Sequence, residues 1–125
     1  MNEHPTKLEQ ERSGRQLRLI YGTDLAGEPP PREWHVDPLI PTGTVTLLGG
    51  DGGVGKSLLA MQLAIATAAP NNRTWCGRRV VDGPAVYVSA EDDTDELHRR
   101  VKAICEAEGI DVDDLFRLTI VPLAG

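Results

Sequence analysis

Residues 50–57 read Gly50-Asp51-Gly52-Gly53-Val54-Gly55-Lys56-Ser57, four glycines in eight positions followed by a lysine and a hydroxyl residue. Glycine admits backbone conformations closed to other residues, so successive N–H groups from residue 52 to residue 57 are able to converge on one anion. Lys56 brings a flexible point charge to the β- and γ-phosphates of a nucleotide, and Ser57 offers its hydroxyl to Mg2+. A helix that starts here aims the positive end of its dipole at the same place. At average residue frequencies the pattern GxxxxGK[ST] arises by chance in roughly one chain of this length in a few hundred. Its flanks lower that further. Residues 44–49 are a short β-branched run that reads as a strand, and residues 56–69 are rich in helix formers and are stopped by Pro70-Asn71-Asn72. Strand, glycine loop and helix together predict that Gly50, Asp51, Gly52, Gly53, Val54, Gly55, Lys56 and Ser57 wrap the phosphates of ATP.

Downstream, Asp82-Gly83-Pro84 turns the chain into Ala85-Val86-Tyr87-Val88-Ser89-Ala90. That run is too continuously apolar for a sheet with one wet face, so an interior parallel strand is expected. A second helix over residues 94–108 sets Leu97, Val101, Ile104 and Cys105 on one stripe. Asp93, with Glu96 three residues later, has the form of a capping box, and Gly109 ends the helix. Residues 117–121 are a third strand candidate. Strand, helix, strand, helix, strand is the α/β pattern with right-handed crossovers, and no internal repeat interrupts it. The helix over 56–69, apolar on nearly every face, is expected to be buried.

Glu91-Asp92-Asp93 follows the 85–90 strand at its carboxyl end, where open α/β sheets place their ligands. Two readings of Glu91 stand side by side. It is a base that polarises the water attacking the γ-phosphate, or it is one of three acids that favour the positive end of the following helix.

Composition narrows the remaining classes. A chain of 125 residues with 40% hydrophobic and 26% charged content has room for one ordinary globular domain. No apolar run approaches the length of about 18 residues that suggests a membrane helix. The charged first twenty residues lack a signal-peptide core, so a cytoplasmic location without membrane partners is expected. Cys76 and Cys105 belong to no metal or disulfide spacing and read as free, reduced thiols. Net charge is −6. Residues 1–32 hold five basic and five acidic side chains, and residues 33–125 hold eight and fourteen. Such an acidic domain repels nucleic-acid phosphate over most of its surface, which gives autonomous DNA binding no support. Residues 1–32, closed by Gly27-Glu28-Pro29-Pro30-Pro31-Arg32, read as a disordered polar tail and stiff linker. Leu17-Arg18-Leu19-Ile20-Tyr21 is its one apolar cluster, either part of that tail or an arm that docks on a neighbouring subunit. His4, His35 and His98 share no ligand spacing. Arg99, Arg100 and Lys102 read as solvated charge with a Glu96–Arg100 pair, and Trp34 and Trp75 as packing residues.

Taken in order, Trp34, Ile40-Pro41-Thr42-Gly43, Val45-Thr46-Leu47-Leu48-Gly49-Gly50, the glycine loop, Trp75-Cys76-Gly77-Arg78-Arg79-Val80 and Val86-Tyr87-Val88-Ser89-Ala90-Glu91-Asp92 resemble the RecA-like P-loop ATPases. The resemblance is especially to the RepA-type hexameric helicase branch, often labelled AAA-family ATPases. It spans residue 33 to about residue 121, with the loop and Ser89-Ala90-Glu91-Asp92 as its specific parts. It implies a RecA-like parallel sheet with flanking helices, and ATP and Mg2+ as ligands. It also implies a homo-hexamer, and a DNA-linked motor that touches DNA through residues absent from this chain. Glu91 becomes the catalytic base, supported by Asp92, with Lys56 as the second catalytic residue. Such ATPases also carry an apolar strand ending in an aspartate that holds Mg2+ through water. No run here has that form, and the third strand candidate leads into Pro122-Leu123-Ala124-Gly125. Residues 33–125 are therefore expected to be the amino-terminal part of a longer domain, incomplete at its C-terminus. Residues 45–48 would be short of strand partners, with weak nucleotide binding and little hydrolysis. The KGGVGKS loop of the ParA/MinD partitioning ATPases differs from residues 51–57 only at its first position. Asp51 cannot supply the positive charge their lysine carries to a partner's nucleotide. That family is the alternative, beside a non-hydrolysing nucleotide-binding or interaction fragment.

Overall fold

The computed structural model describes residues 17–124. The chain divides into two compact units, Met1–Pro31 and Arg32–Gly125. In the first, Gly22–Leu25 make one turn of 3-10 helix, in which the Tyr21 N–H donates to the Asp24 carboxylate at 3.0 Å and the Asp24 N–H to the Tyr21 carbonyl at 3.0 Å. The expected disordered tail thus contains a local turn, and its residues 1–16 lie outside the described residues. Leu17, Leu19, Ile20 and Tyr21 are exposed.

The second unit opens with β1 (Trp34–Val36) and β2 (Ile40–Pro41), an antiparallel pair. After the glycine loop comes α1 (Lys56–Ala68), which stops before Pro70 because the residue preceding a proline disfavours helical geometry. The hairpin of β3 (Thr74–Trp75) and β4 (Arg78–Arg79) turns at Cys76 and Gly77, both at positive φ (50° and 72°), as tight two-residue hairpins require. Then come β5 (Ala85–Ser89), α2 (Thr94–Glu108), a 3-10 turn at Val112–Asp114, and β6 (Leu118–Pro122). β5 and β6 run parallel in the register Ala85↔Leu118 to Ser89↔Pro122, with α2 as the crossover between them. This is the expected βαβ unit.

Period-two alternation decides which side of that pair is dry. Ala85, Tyr87, Leu118 and Ile120 pack on a cluster made by Met61, Ile65, Ala68 and Ala69 of α1 and its end with Leu97, Val101, Ile104 and Cys105 of α2. Full burial of a side chain such as Ile65 is worth about 1.5–3 kcal/mol. A second cluster of Val36, Ala66 and Val80 ties the β1/β2 pair and the hairpin to the other flank of α1. His35 Nε2 lies 2.9 Å from Thr67 Oγ1, whose own proton goes to the Leu63 carbonyl at 2.8 Å. His35 is therefore the donor, in the Nε2–H tautomer.

Three sequence expectations are corrected. Residues 44–49 form no strand, because a strand exists only beside a hydrogen-bonded neighbour and none lies there among the described residues; Val45 is 98% and Leu47 92% exposed. β5 is not interior: β6 pairs with one edge, and Val86 and Val88 are exposed on the face away from the helices. The α1 helix is buried mainly in its carboxyl-terminal half, through Ile65, Ala66, Thr67 and Ala68, while Leu58 in its first turn stays exposed. The architecture is α/β, and its parallel sheet is the single β5/β6 pair rather than a broad sheet with helices on both faces.

Candidate nucleotide-binding site

The loop between residues 50 and 57 is shaped by its glycines in two ways. Gly53 and Gly55 lie in the left-handed region at φ 80° and 92°, where a side chain is strained, and Gly55 is the residue that caps α1. Gly50 matters by close approach, since a Cβ there would meet Val54 Cγ2 at 3.2 Å. The cap of α1 has no side-chain acceptor, and the first loop or cap bond into the helix is the Leu59 N–H to the Gly55 carbonyl at 3.0 Å. Among the described residues, apart from the turn at Gly52-Gly53, the N–H groups of residues 50–57 are spent on no backbone or side-chain acceptor. A row of uncommitted donors at the positive end of a 13-residue helix is the donor set that suits a phosphate.

Lys56 folds back over this loop. Its Nζ donates to the Gly50 carbonyl and to the Asp51 carbonyl, the latter at 2.8 Å. Both contacts are exposed, so the ammonium is held where a phosphate oxygen can replace a carbonyl as its acceptor. Ser57 contributes on two sides. Its carbonyl accepts from the Tyr87 hydroxyl at 3.3 Å, and its own hydroxyl has no partner among the described residues. The Tyr87 bond joins the first turn of α1 to β5. Burial, and secondarily the nearby Asp92 carboxylate, push the Tyr87 phenol above its ordinary pKa of 10.0, so it stays a neutral donor.

The carboxyl end of β5 delivers the acids. Ser89 is buried, and its Oγ accepts from the Asp92 N–H at 3.2 Å while its carbonyl accepts from the Leu123 N–H at 2.8 Å. The turn carrying Glu91 is thus held from both sides. Asp93 caps α2 as expected, its Oδ1 accepting from the Glu96 N–H at 2.8 Å. The reciprocal half of the capping box is not made. Glu96 instead pairs with Arg99 at 3.3 Å and Arg100 at 3.2 Å. Arg100 also lies 2.8 Å from Asp92.

A cleft of about 510 Å³ gathers these groups. Gly52, Gly53, Gly55, Lys56, Ser57 and Leu58 wall it together with Glu91 and Arg100. Five of the eight loop residues named from the sequence line it. Gly50, Asp51 and Val54 do not, and the first two serve it through the carbonyls that hold Lys56. Asp92 stands behind the wall, tied to Arg100 and Ser89. Trp75 packs as expected, its indole N–H donating to the Leu59 carbonyl at 2.9 Å. Trp34 carries the Arg32 guanidinium 5.6 Å above its ring. Both cysteines are free: Cys76 is exposed, and burial pushes the Cys105 thiol up from its usual value.

Sequence reasoning missed three residues that shape this site. Arg100 had been read as solvated charge paired with Glu96; that i, i+4 pair is present, and the contact with Asp92, which lies before the helix, is what the spacing did not announce. Tyr87 had been read only as a strand residue and Ser89 only as part of the Ser89-Ala90-Glu91-Asp92 resemblance; the Tyr87 hydroxyl bonds across the fold to Ser57, and the Ser89 hydroxyl braces the turn to Asp92. An apolar groove of about 470 Å³ beside Leu47, Leu48, Leu63 and Trp75 is lined by no charged side chain and offers nothing comparable. No helix among the described residues is long and apolar enough to cross a membrane.

Residues 10–125 match the family model described as AAA domain, which covers most of the chain. The chain belongs to the AAA domain family of P-loop ATPases, whose members bind nucleotide, usually with Mg2+.

Proposed function

We propose that the chain binds ATP in this cleft, with the backbone donors of residues 52–57 and the Lys56 ammonium on the phosphates, and that Glu91 is the general base for hydrolysis. The observation that carries this reading is the shared wall: the glycine loop and Glu91, more than thirty residues apart in sequence, line one cleft. On nucleotide entry, Lys56 exchanges the Gly50 and Asp51 carbonyls for phosphate oxygens. The dipole of α1 favours the same anion. Mg2+, for which the unpartnered Ser57 hydroxyl is the fitting ligand, supplies neutralisation of charge on the β- and γ-phosphates when bound. Glu91 accepts the proton of the attacking water, on a turn fixed by the Ser89 hydroxyl and carbonyl. Following the resemblance of residues 33 to about 121, the energy serves a RecA-like motor of the RepA helicase type, a homo-hexamer acting on DNA.

Titration with a fluorescent ATP analogue and phosphate-release kinetics test the reading. Glu91→Gln is expected to keep nucleotide affinity within about threefold and to lower phosphate release by about 100-fold or more. Equal release by wild type and variant removes Glu91 from the chemistry. Stimulation of release by single-stranded DNA, with a sixfold mass in sedimentation, tests the motor; a monomer indifferent to DNA counts against it. A second reading, nucleotide binding with little turnover, is favoured by one observation. The segment before the loop has no strand beside it among the described residues, with Val45 98% exposed, so the loop is placed relative to Glu91 only from its helix side, by the packing of α1 on β5 and the Tyr87–Ser57 bond. Slow release despite tight binding selects this reading.

A further inference from the structure

Two cations wall the cleft, Lys56 and Arg100. A triphosphate brings about four negative charges and a diphosphate about three, so the terminal phosphate is where a second side-chain cation beside Lys56 has the most to neutralise. Arg100 sits differently from its neighbours on α2. Its side chain is 31% exposed and that of Arg99 70%, because Arg100 borders the stripe of Leu97, Val101 and Ile104 that α2 buries. Two carboxylates hold it: Nε donates to Glu96 Oε1 at 3.2 Å, and Nη1 lies 2.8 Å from Asp92 Oδ2. Nη2 makes no hydrogen bond among the described residues. A guanidinium anchored through Nε and Nη1 and uncommitted at Nη2 is held in place with a charged donor left for a phosphate oxygen.

Resting on the nucleotide-binding reading above, we propose that Arg100 is a binding residue for the terminal phosphate and makes the cleft prefer a nucleoside triphosphate to the diphosphate. Lys56, at the loop, serves both nucleotides. Arg100, on the second wall beside Glu91, meets only the longer one. Asp92 and Glu96 hold the guanidinium ready and compete with the phosphate for it. Removing Asp92's charge therefore releases Arg100 toward the phosphate, whereas removing Arg100 leaves the phosphate without its second cation.

The test is the ratio of ATP to ADP affinity, measured by calorimetry on the full chain, with circular dichroism and thermal melting to establish folding. Arg100→Ala is expected to weaken ATP at least about tenfold more than ADP, the size of one lost charge-assisted contact. Arg99→Ala leaves both unchanged. Asp92→Asn is expected to preserve or raise the preference for ATP. Equal losses for ATP and ADP in Arg100→Ala overturn the proposal, as does Asp92→Asn behaving like Arg100→Ala, the result a purely structural ion pair would give. Should Arg100→Ala not fold, Arg100→Lys keeps the charge without the fork: a loss confined to ATP supports the proposal and an unchanged ratio overturns it. Wild-type protein that binds neither nucleotide removes the nucleotide reading and this one together. Wild-type binding with an unchanged ratio in folded Arg100→Ala removes this one alone.

Discussion

Replacing Lys56 by alanine separates what the side chain does for the loop from what it does for a phosphate. In the free protein its Nζ is spent on the Gly50 and Asp51 carbonyls, both at the surface. Water takes over both acceptors when the ammonium is removed, so folding stability should change by no more than about 0.5 kcal/mol, the range of ordinary surface substitutions. Against a phosphate the same ammonium makes a hydrogen bond to a charged partner, worth about 1.5–3 kcal/mol. That range corresponds to a loss of roughly 10- to 100-fold in affinity. Urea denaturation without nucleotide gives the first quantity, and titration with a fluorescent ATP analogue in the presence of Mg2+ gives the second. The expected result is a nearly unmoved unfolding midpoint with a Kd at least tenfold higher. A Kd within twofold of wild type refutes the placement of Lys56 on the phosphates. A stability loss beyond about 2 kcal/mol refutes the argument that its carbonyl contacts are solvent-replaceable.

Other substitutions test the frame that holds the site. Asp93→Ala removes the acceptor for the Glu96 N–H and should cost about 1 kcal/mol in urea denaturation, whereas Asp95→Ala, on the same first turn but outside the cap bond, should cost less. Ile65→Ala empties a position 1% exposed at the contact of α1 with α2 and should lower stability by about 2–5 kcal/mol, read from the unfolding midpoint at constant m. Tyr87 has its phenol held above 10.0 in the folded state. Its contribution is therefore fully present below about pH 10 and is lost as pH rises through the folded value. Tyr87→Phe should cost about 1 kcal/mol at neutral pH and flatten the alkaline decline, measured as unfolding midpoint against pH.

What was legible in the sequence is what short-range chemistry decides. The glycine loop, the start of α1, the Asp93 cap, the buried stripe of α2 and the βαβ order all follow from spacings within about fifteen residues, and each is found where those spacings put it. Residues 44–49 have the composition of a strand, but a strand is a relation between two segments, and composition does not supply the second. The same reason explains β5. Its apolar run signalled burial on two faces, while the structure covers only the face that α1 and α2 reach.

The site itself divides along the same line. Glu91's place on the cleft wall was legible because a strand that ends at Ser89 delivers the next acids to the carboxyl edge of the sheet, while its reading as a base came from the family resemblance. Arg100's place on the wall was not legible, because it depends on how far α2 is rotated about its own axis. That rotation is set by Leu97, Val101 and Ile104 seeking the core, and it carries Arg100 to the cleft wall while leaving Arg99 in solvent. The apolar stripe that looks purely structural thus selects which of two adjacent arginines faces the glycine loop. A polar substitution at Val101 is therefore expected to disturb the cleft as well as the core, by loosening the rotation that keeps Arg100 beside Asp92.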